Sequence, residues 1–169
     1  MINGMDNLLK RLKQYENVSL KQPVGKGIEF VRSAAVNNCL KSSGELANSI
    51  FTKVDMENAD YAEGICYTNK SYAPHVEFGT GPKGQANHAG VSPNSSGSYV
   101  QSPWWIHESQ IEGGRETAEK YHWFSIDTEE GRFYQCTGQP ARPFMYPALK
   151  DNEEAVVEII KNDIRRQIK

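Results

Sequence analysis

The chain carries four histidines and three cysteines, and their spacing limits what chemistry they can do. His75, His88, His107 and His122 are scattered, with neither a His-x-x-x-His nor a Cys-x-x-Cys pairing, so the local spacing that marks a zinc site is missing. His88, His107 and His122 flank a Gly/Ser/Pro-rich stretch, which leaves a metal site built in space as the remaining route; no metal is expected. Cys39, Cys66 and Cys136 are odd in number and far apart, as expected of small buried hydrophobes in a reducing compartment. Glu77 lies within Tyr72-Ala-Pro-His-Val-Glu-Phe-Gly-Thr80 and has the chemistry of a general acid or base. That role needs positioned partners that the sequence does not supply, and the simpler role is hydrogen-bond or ion-pair partner, with Arg142 the candidate. Trp104, Trp105, Tyr99 and Trp123 could stack on sugars or bases, although such residues more often fill cores and subunit interfaces. No Walker-type phosphate loop and no Gly-x-Gly-x-x-Gly between strand and helix occurs. Neither an enzyme nor a bound cofactor is expected.

Two stretches organise the rest. Tyr72–Thr80 and residues 138 to 149, Gly-Gln-Pro-Ala-Arg-Pro-Phe-Met-Tyr-Pro-Ala-Leu, set aromatic residues among prolines and small residues. Proline fixes φ and disfavours helix at the residue before it, and glycine opens conformations closed to other residues. Each therefore reads as a stiff crossing between elements, with Tyr72, Val76, Phe78 and Phe144 as core anchors and Gly79 turning the chain.

The elements that must position these crossings follow from periodicity. Leu8, Leu9, Leu12 and Tyr15 form an apolar stripe over residues 5 to 16, a first helix that Asp6 can cap. Ile28, Val31, Ala35 and Cys39 predict a second amphipathic helix over 24 to 41. After a turn at 42 to 46, residues 48 to 54 and 61 to 68 read as a hairpin. Residues 81 to 103 are rich in Gly, Ser and Pro with a single charged residue, Lys83, and predict a long flexible loop. Residues 107 to 120 predict a short acidic helix. Residues 121 to 126 and 132 to 137 predict a second hairpin. From Pro147 to Lys169 there is no further Gly or Pro, and the spacing predicts one long C-terminal helix whose Val156, Ile160 and Ile164 face packs on the sheet. Together these predict one α+β domain spanning 1 to 169. Its antiparallel sheet has about four or more strands, packed by the N-terminal helices and the C-terminal helix.

Length, 38% hydrophobic and 24% charged residues are those of an ordinary soluble globular chain with room for a real core. The net charge of −2 gives no general pull toward nucleic acid or anionic membrane. Lys10, Arg11, Lys13, Lys21, Lys26, Arg32 and Lys41 outnumber the four acids of the first fifty residues, an excess read as the solvated face of helices. No signal peptide and no membrane span is legible, so a cytoplasmic origin is expected.

Ser43-Gly-Glu-Leu-Ala-Asn-Ser-Ile50, then Tyr72–Thr80, then Gln139-Pro-Ala-Arg-Pro-Phe-Met-Tyr-Pro-Ala-Leu149 resemble, in this order and with a closing amphipathic helix, the signatures of the HK97 gp10-like family of tailed-phage proteins. The resemblance implies a small α+β virion protein made in the bacterial host cytoplasm. It would serve at the head–tail junction as a neck, tail-completion or tail-terminator subunit. Its expected partners are copies of itself in a ring, sixfold by expectation, together with head-connector and tail-tube proteins. DNA would pass through without sequence-specific binding, and no membrane would be involved. Tyr72, Pro74, Glu77, Phe78, Gly79, Trp104, Trp105, Pro140, Arg142, Pro143 and Phe144 are the expected structural and interface positions. The 81–126 region departs from the family pattern. Two rival readings are a small binding module that captures carbohydrate or peptide with residues 81 to 105 and its tryptophans, and a hydrolase built on Glu77.

Overall fold

The computed structural model describes residues 4–40, 44–58, 61–86, 90–93, 100, 102–111 and 113–168. His88 and Tyr99 and most of residues 87 to 101 lie outside that set. The chain is α+β, with eight helices and two small antiparallel sheets among the described residues. In chain order the elements are α1 (Met5–Glu16), α2 (Lys21–Asn38), α3 (Glu45–Asn48), β1 (Ile50–Asn58), β2 (Tyr61–Thr68), α4 (Ala73–Phe78), α5 (Gly81–Ala86) and β3 (Trp104–His107). A 3-10 turn (Glu108–Gln110), α6 (Gly114–Lys120), β4 (Ser125–Thr128), β5 (Gly131–Cys136), α7 (Tyr146–Lys150) and α8 (Glu153–Gln167) follow. Two compact units result, one of Met1–Ser71 with Phe144–Lys169 and one of Tyr72–Pro143.

In the first unit α2 is the central element. Pro23, Gly27, Val31, Ala35 and Cys39 are buried, one every four residues, so a single ridge runs the length of the helix. A Cβ placed on Gly27 would lie 3.2 Å from Ile160 and 3.3 Å from Val156; the bare backbone there lets α8 approach α2 closely. On its other flank α2 meets the hairpin: a Cβ on Gly64 would stand 3.0 Å from Val24 and 3.1 Å from Ile28. The expected packing of the Val156 and Ile160 face on a sheet is therefore corrected. That face meets α2, and α2 meets the sheet. The expected hairpin is present, with Phe51 opposite Tyr67 and Thr52 opposite Cys66. Ile50 is buried on the inner face, while Phe51 and Tyr67 form an exposed ring pair 5.9 Å apart on the outer one. Gln167 closes the unit, accepting from Ser19 N–H at 2.9 Å and donating to the Ser19 carbonyl at 3.0 Å.

Two helix expectations change. Gly4, not Asp6, is the N-cap of α1. The C-terminal helix is two helices, parted at Asp151 and Asn152. Asn152 turns its side-chain amide back onto the Ala148 carbonyl at 3.0 Å and then serves as N-cap of α8. A short polar side chain that competes for backbone groups ends one helix and starts the next.

The second unit holds a three-stranded antiparallel sheet in the order β3-β5-β4, so the five strands form two sheets rather than one of four or more. β3 begins at the Trp104-Trp105 pair, where no strand was expected, and pairs Trp104 with Cys136 through His107 with Phe133. The expected hairpin at 121 to 137 forms over Ser125–Thr128 and Gly131–Cys136. The expected acidic helix divides into the 3-10 turn and α6, because Gly113 and Gly114 both take positive φ. No described helix is long and apolar enough to cross a membrane.

Candidate functional site

Tyr72–Thr80 and the start of the third signature stretch, residues 139 to 142, come together inside the second unit, and they do so through main chain. Thr80 N–H donates to the Gln139 carbonyl at 2.9 Å, and Gln139 N–H returns to Thr80 O at 3.1 Å. Arg142 N–H donates to the Val76 carbonyl at 2.9 Å, and the Gln139 side-chain amide donates to His75 O at 2.9 Å. Three glycines make room for this clasp. A Cβ on Gly138 would sit 1.9 Å from the Thr80 oxygen. One on Gly79 would sit 2.6 Å from Ala141 N, and one on Gly81 would sit 2.9 Å from the Trp104 ring. All three have positive φ, so both conformation and space demand glycine.

Two local expectations change at the clasp. Residues 73 to 78 of the expected stiff crossing form a short helix: Pro74 falls in the first turn, where its missing N–H costs nothing, and Gly79 stops the helix at φ 75° and ψ 178°. As a helix it buries residues four apart, Ala73 and Glu77. Tyr72 is consequently exposed, and Val76 and Phe78 are half-buried rather than core anchors. Residues 81 to 86, expected as loop, are helical because the clasp supplies their first turn. Gly84 N–H donates to Thr80 O at 2.9 Å and Lys83 N–H to Thr137 O at 3.3 Å. A local helical bond and one tertiary bond, to Thr137, together outweigh the poor helix propensity of glycine.

The remaining expected positions separate. Trp104 turns its ring to Gly81 on the inner face of the sheet, while the neighbouring Trp105 is exposed on the outer face, 5.9 Å from the exposed Phe124 ring. Pro140 and Pro143 are half-buried beside the clasp, and the Arg142 side chain is exposed. Phe144, 1% exposed, belongs to the first unit, where Asn38 donates to its carbonyl at 3.3 Å. Glu77 is 6% exposed, so it offers little surface to a substrate arriving from solvent.

The outer face of the three-stranded sheet was not anticipated as a surface. Strand alternation places Trp105, His107, Phe133 and Ile126 on it together, and Phe124 extends it. The signal for it was the alternation of residues 104 to 107, which the adjoining Gly/Ser/Pro composition obscured. His107 is held on this face by its neighbours. Ser109 N–H donates to Nδ1 at 3.3 Å, which makes that nitrogen the acceptor, and Nε2 then donates to the Glu130 carbonyl at 3.0 Å. A backbone carbonyl in that place, and the cap that the ring gives the 3-10 turn, identify a structural histidine. Arg132 grips Asp127 with two nitrogens at 2.6 and 3.1 Å; this bidentate bond holds the Asp127 carboxyl below its ordinary range and raises the guanidinium further.

Other titratable groups sit in the first unit. Lys26 pairs with Asp163 between α2 and α8, the carboxylate buried and the lysine half-exposed. Cys66 lines a groove of about 290 Å³ with Ile28, Val31, Met145 and Leu149, with Lys150 and Glu153 at its rim. Burial pushes the Cys66 thiol up, the opposite of what an activated nucleophile needs. Among the described residues no group of three or more His, Cys, Asp or Glu could hold a metal ion. Compared with protein-family models, with curated proteins and with solved structures, the chain matches none.

Proposed function

We propose that this chain is a structural subunit of a tailed bacteriophage or prophage virion. It works at the head–tail junction as a neck, tail-completion or tail-terminator component, in a homo-oligomeric ring around the DNA channel. The observation that carries this reading is how the motif residues are used. The most distinctive stretches go into a glycine-lined main-chain clasp, which fixes a fold. Apolar surface is meanwhile left exposed at Trp105, Phe124 and Ile126, and at Phe51 and Tyr67. Apolar patches in solvent suit contacts with neighbouring subunits. A net charge of −2 suits a channel wall that lets DNA pass without holding it, since basic surfaces bind phosphate through counterion release. The hydrolase reading is weaker, because Glu77 is buried and the Cys66 thiol is pushed away from its reactive form.

Disrupting the gene in its phage or prophage tests this. The expected result is DNA-filled heads and free tails in the lysate, joined again when the purified protein is added. Normal infectious virions from the disrupted genome would reject the proposal.

A further inference from the structure

The first helix has an apolar side that no described residue of its own unit buries. Leu8, Leu9, Leu12 and Tyr15 are 53, 49, 49 and 57% exposed, and α1 has no buried residue. Met5, Leu8, Leu12 and Tyr15 are spaced by three, four and three, the a and d positions of a heptad, and Leu9 widens the stripe at an e position. In that register Arg11 is a g position and Glu16 the e position five residues on, the pair that meets across two parallel helices.

We infer that α1 is a self-association helix that lies side by side and parallel with the α1 of a second copy of this chain, sealing the Met5–Leu8–Leu12–Tyr15 seam and pairing Arg11 of each helix with Glu16 of the other. The charges select this arrangement. An antiparallel pair that stacks Met5 on Tyr15 and Leu8 on Leu12 brings Arg11 near Arg11, and like charges at that position oppose it. They also disfavour the other occupant open to an amphipathic helix, a membrane surface: Lys10, Arg11 and Lys13 are offset by Asp6 and Glu16, leaving little attraction for anionic lipid. Twelve residues make fewer than two heptads, so the contact is weak alone and adds to other contacts between copies in a symmetric assembly. Reciprocal pairing of Arg11 with Glu16 makes this a twofold contact, which joins copies in pairs. The inference rests on the homo-oligomeric part of the proposed function and not on its virion part.

Sedimentation equilibrium of the whole chain tests it. Leu8→Asp with Leu12→Asp should weaken self-association at least tenfold while the far-ultraviolet circular dichroism and thermal midpoint stay those of the folded protein. Arg11→Glu and Glu16→Arg should each weaken it about five- to tenfold, and the two together should restore it; an antiparallel pair would show no such rescue. Leu12→Cys should form a self-disulfide on oxidation beyond the wild-type background, whereas a mixture of Met5→Cys and Tyr15→Cys proteins cross-linking more efficiently would overturn the parallel arrangement. Undiminished assembly of the double aspartate variant overturns the inference and leaves the ring reading standing. A wild-type chain that stays monomeric at every soluble concentration overturns both. Flotation of the monomer with anionic phosphatidylserine vesicles, lost in the double aspartate variant, assigns α1 to lipid instead.

Discussion

In the unit formed by residues 1–71 and 144–169, α2 is pressed on both flanks by side chains, those of Val156 and Ile160 on one side and the hairpin on the other. In the unit 72–143 main chain lies directly against main chain at Gly79 and Gly138, and Gly81 fits between the Trp104 ring and the Thr137 carbonyl. The first kind of packing draws its stability from apolar volume removed from water. The second draws it from hydrogen bonds that only a missing Cβ permits. The two units should therefore fail under opposite substitutions, one when volume is taken away and the other when it is added.

The largest expected effect is at Gly138. Adding one carbon there places it 1.9 Å from the Thr80 oxygen at φ 80°, so the clasp must open. Gly138→Ala should cost about 4 kcal/mol or more, the range reserved for broken packing and strained backbone. Native-state hydrogen exchange should show protection lost across β3–β5 and kept in α2 and α8. Gly114→Ala is the control, because it shares the positive φ but has open space around it; it should cost about 1–2 kcal/mol. Equal losses at the two sites would mean that conformation alone, not the close approach, makes the glycine necessary.

Taking volume away should act in the other unit. Phe144→Ala removes a ring that is 1% exposed and should cost about 3–5 kcal/mol. Phe78→Ala, at a half-buried ring, should cost roughly half as much, because less of the ring leaves water on folding. Urea unfolding of both variants checks this, and a larger loss at Phe78 than at Phe144 would reverse the assignment of anchors.

Elements dominated by their own periodicity were legible in the sequence. The α+β class, α1, α2, the first hairpin, the β4–β5 hairpin and the buried Phe144 follow from apolar spacing and turn residues. What was not legible depended on individual hydrogen bonds, near and distant, and on local geometry that hydropathy does not record. Residues 81–86 become helical as Gly84 N–H donates to Thr80 O and Lys83 N–H to the distant Thr137 O. Residues 73–78 bury Ala73 and Glu77 because a helix buries every fourth residue, whereas the Pro-rich reading had taken the aromatic and branched side chains as the anchors. Asn152 divides the last helix through a side-chain bond to Ala148 that no hydropathy pattern records. Around the motif, the prolines and glycines announced a crossing. Only the fold shows that it is made of backbone, and that the exposed chemistry lies elsewhere, on the Trp105 face.

A smaller effect should appear at Lys26 and Asp163, the charged pair between α2 and α8. Asp163 is 7% exposed in its side chain against 47% for Lys26, and its Oδ2 has no hydrogen-bond partner among the described residues. Lys26→Met leaves a buried carboxylate without its counter-charge and should cost about 3 kcal/mol. Asp163→Asn leaves a lysine that can turn to water and should cost about 1 kcal/mol. Thermal denaturation of the two variants decides it; equal costs would mean that the carboxylate has another source of solvation.

The smallest effect is a pH dependence that separates the units by their surface carboxylates. In the first unit Glu29 accepts a hydrogen bond from the Thr52 hydroxyl and another from Arg32 at 2.9 Å, which lower its pKa from the ordinary 4.5. A carboxyl whose folded pKa lies below its unfolded one stabilises the fold at pH values above the unfolded pKa. That contribution disappears as pH falls through the folded pKa, because the folded state must then take up the proton it had resisted. Glu29→Gln should therefore lower stability by a constant amount above about pH 5, at most roughly 1 kcal/mol for so exposed a group. Below the folded pKa of Glu29 the difference from wild type should close. Asp127 in the second unit, held down by Arg132, should give the same sign in the protection of β4 and β5 when changed to Asn, with no change in α2. Urea titrations across acid pH, read with hydrogen exchange in each unit, test both. A Glu29→Gln difference that widens on acidification would show that the Thr52 bond links α2 to β1 without favouring the charged carboxylate.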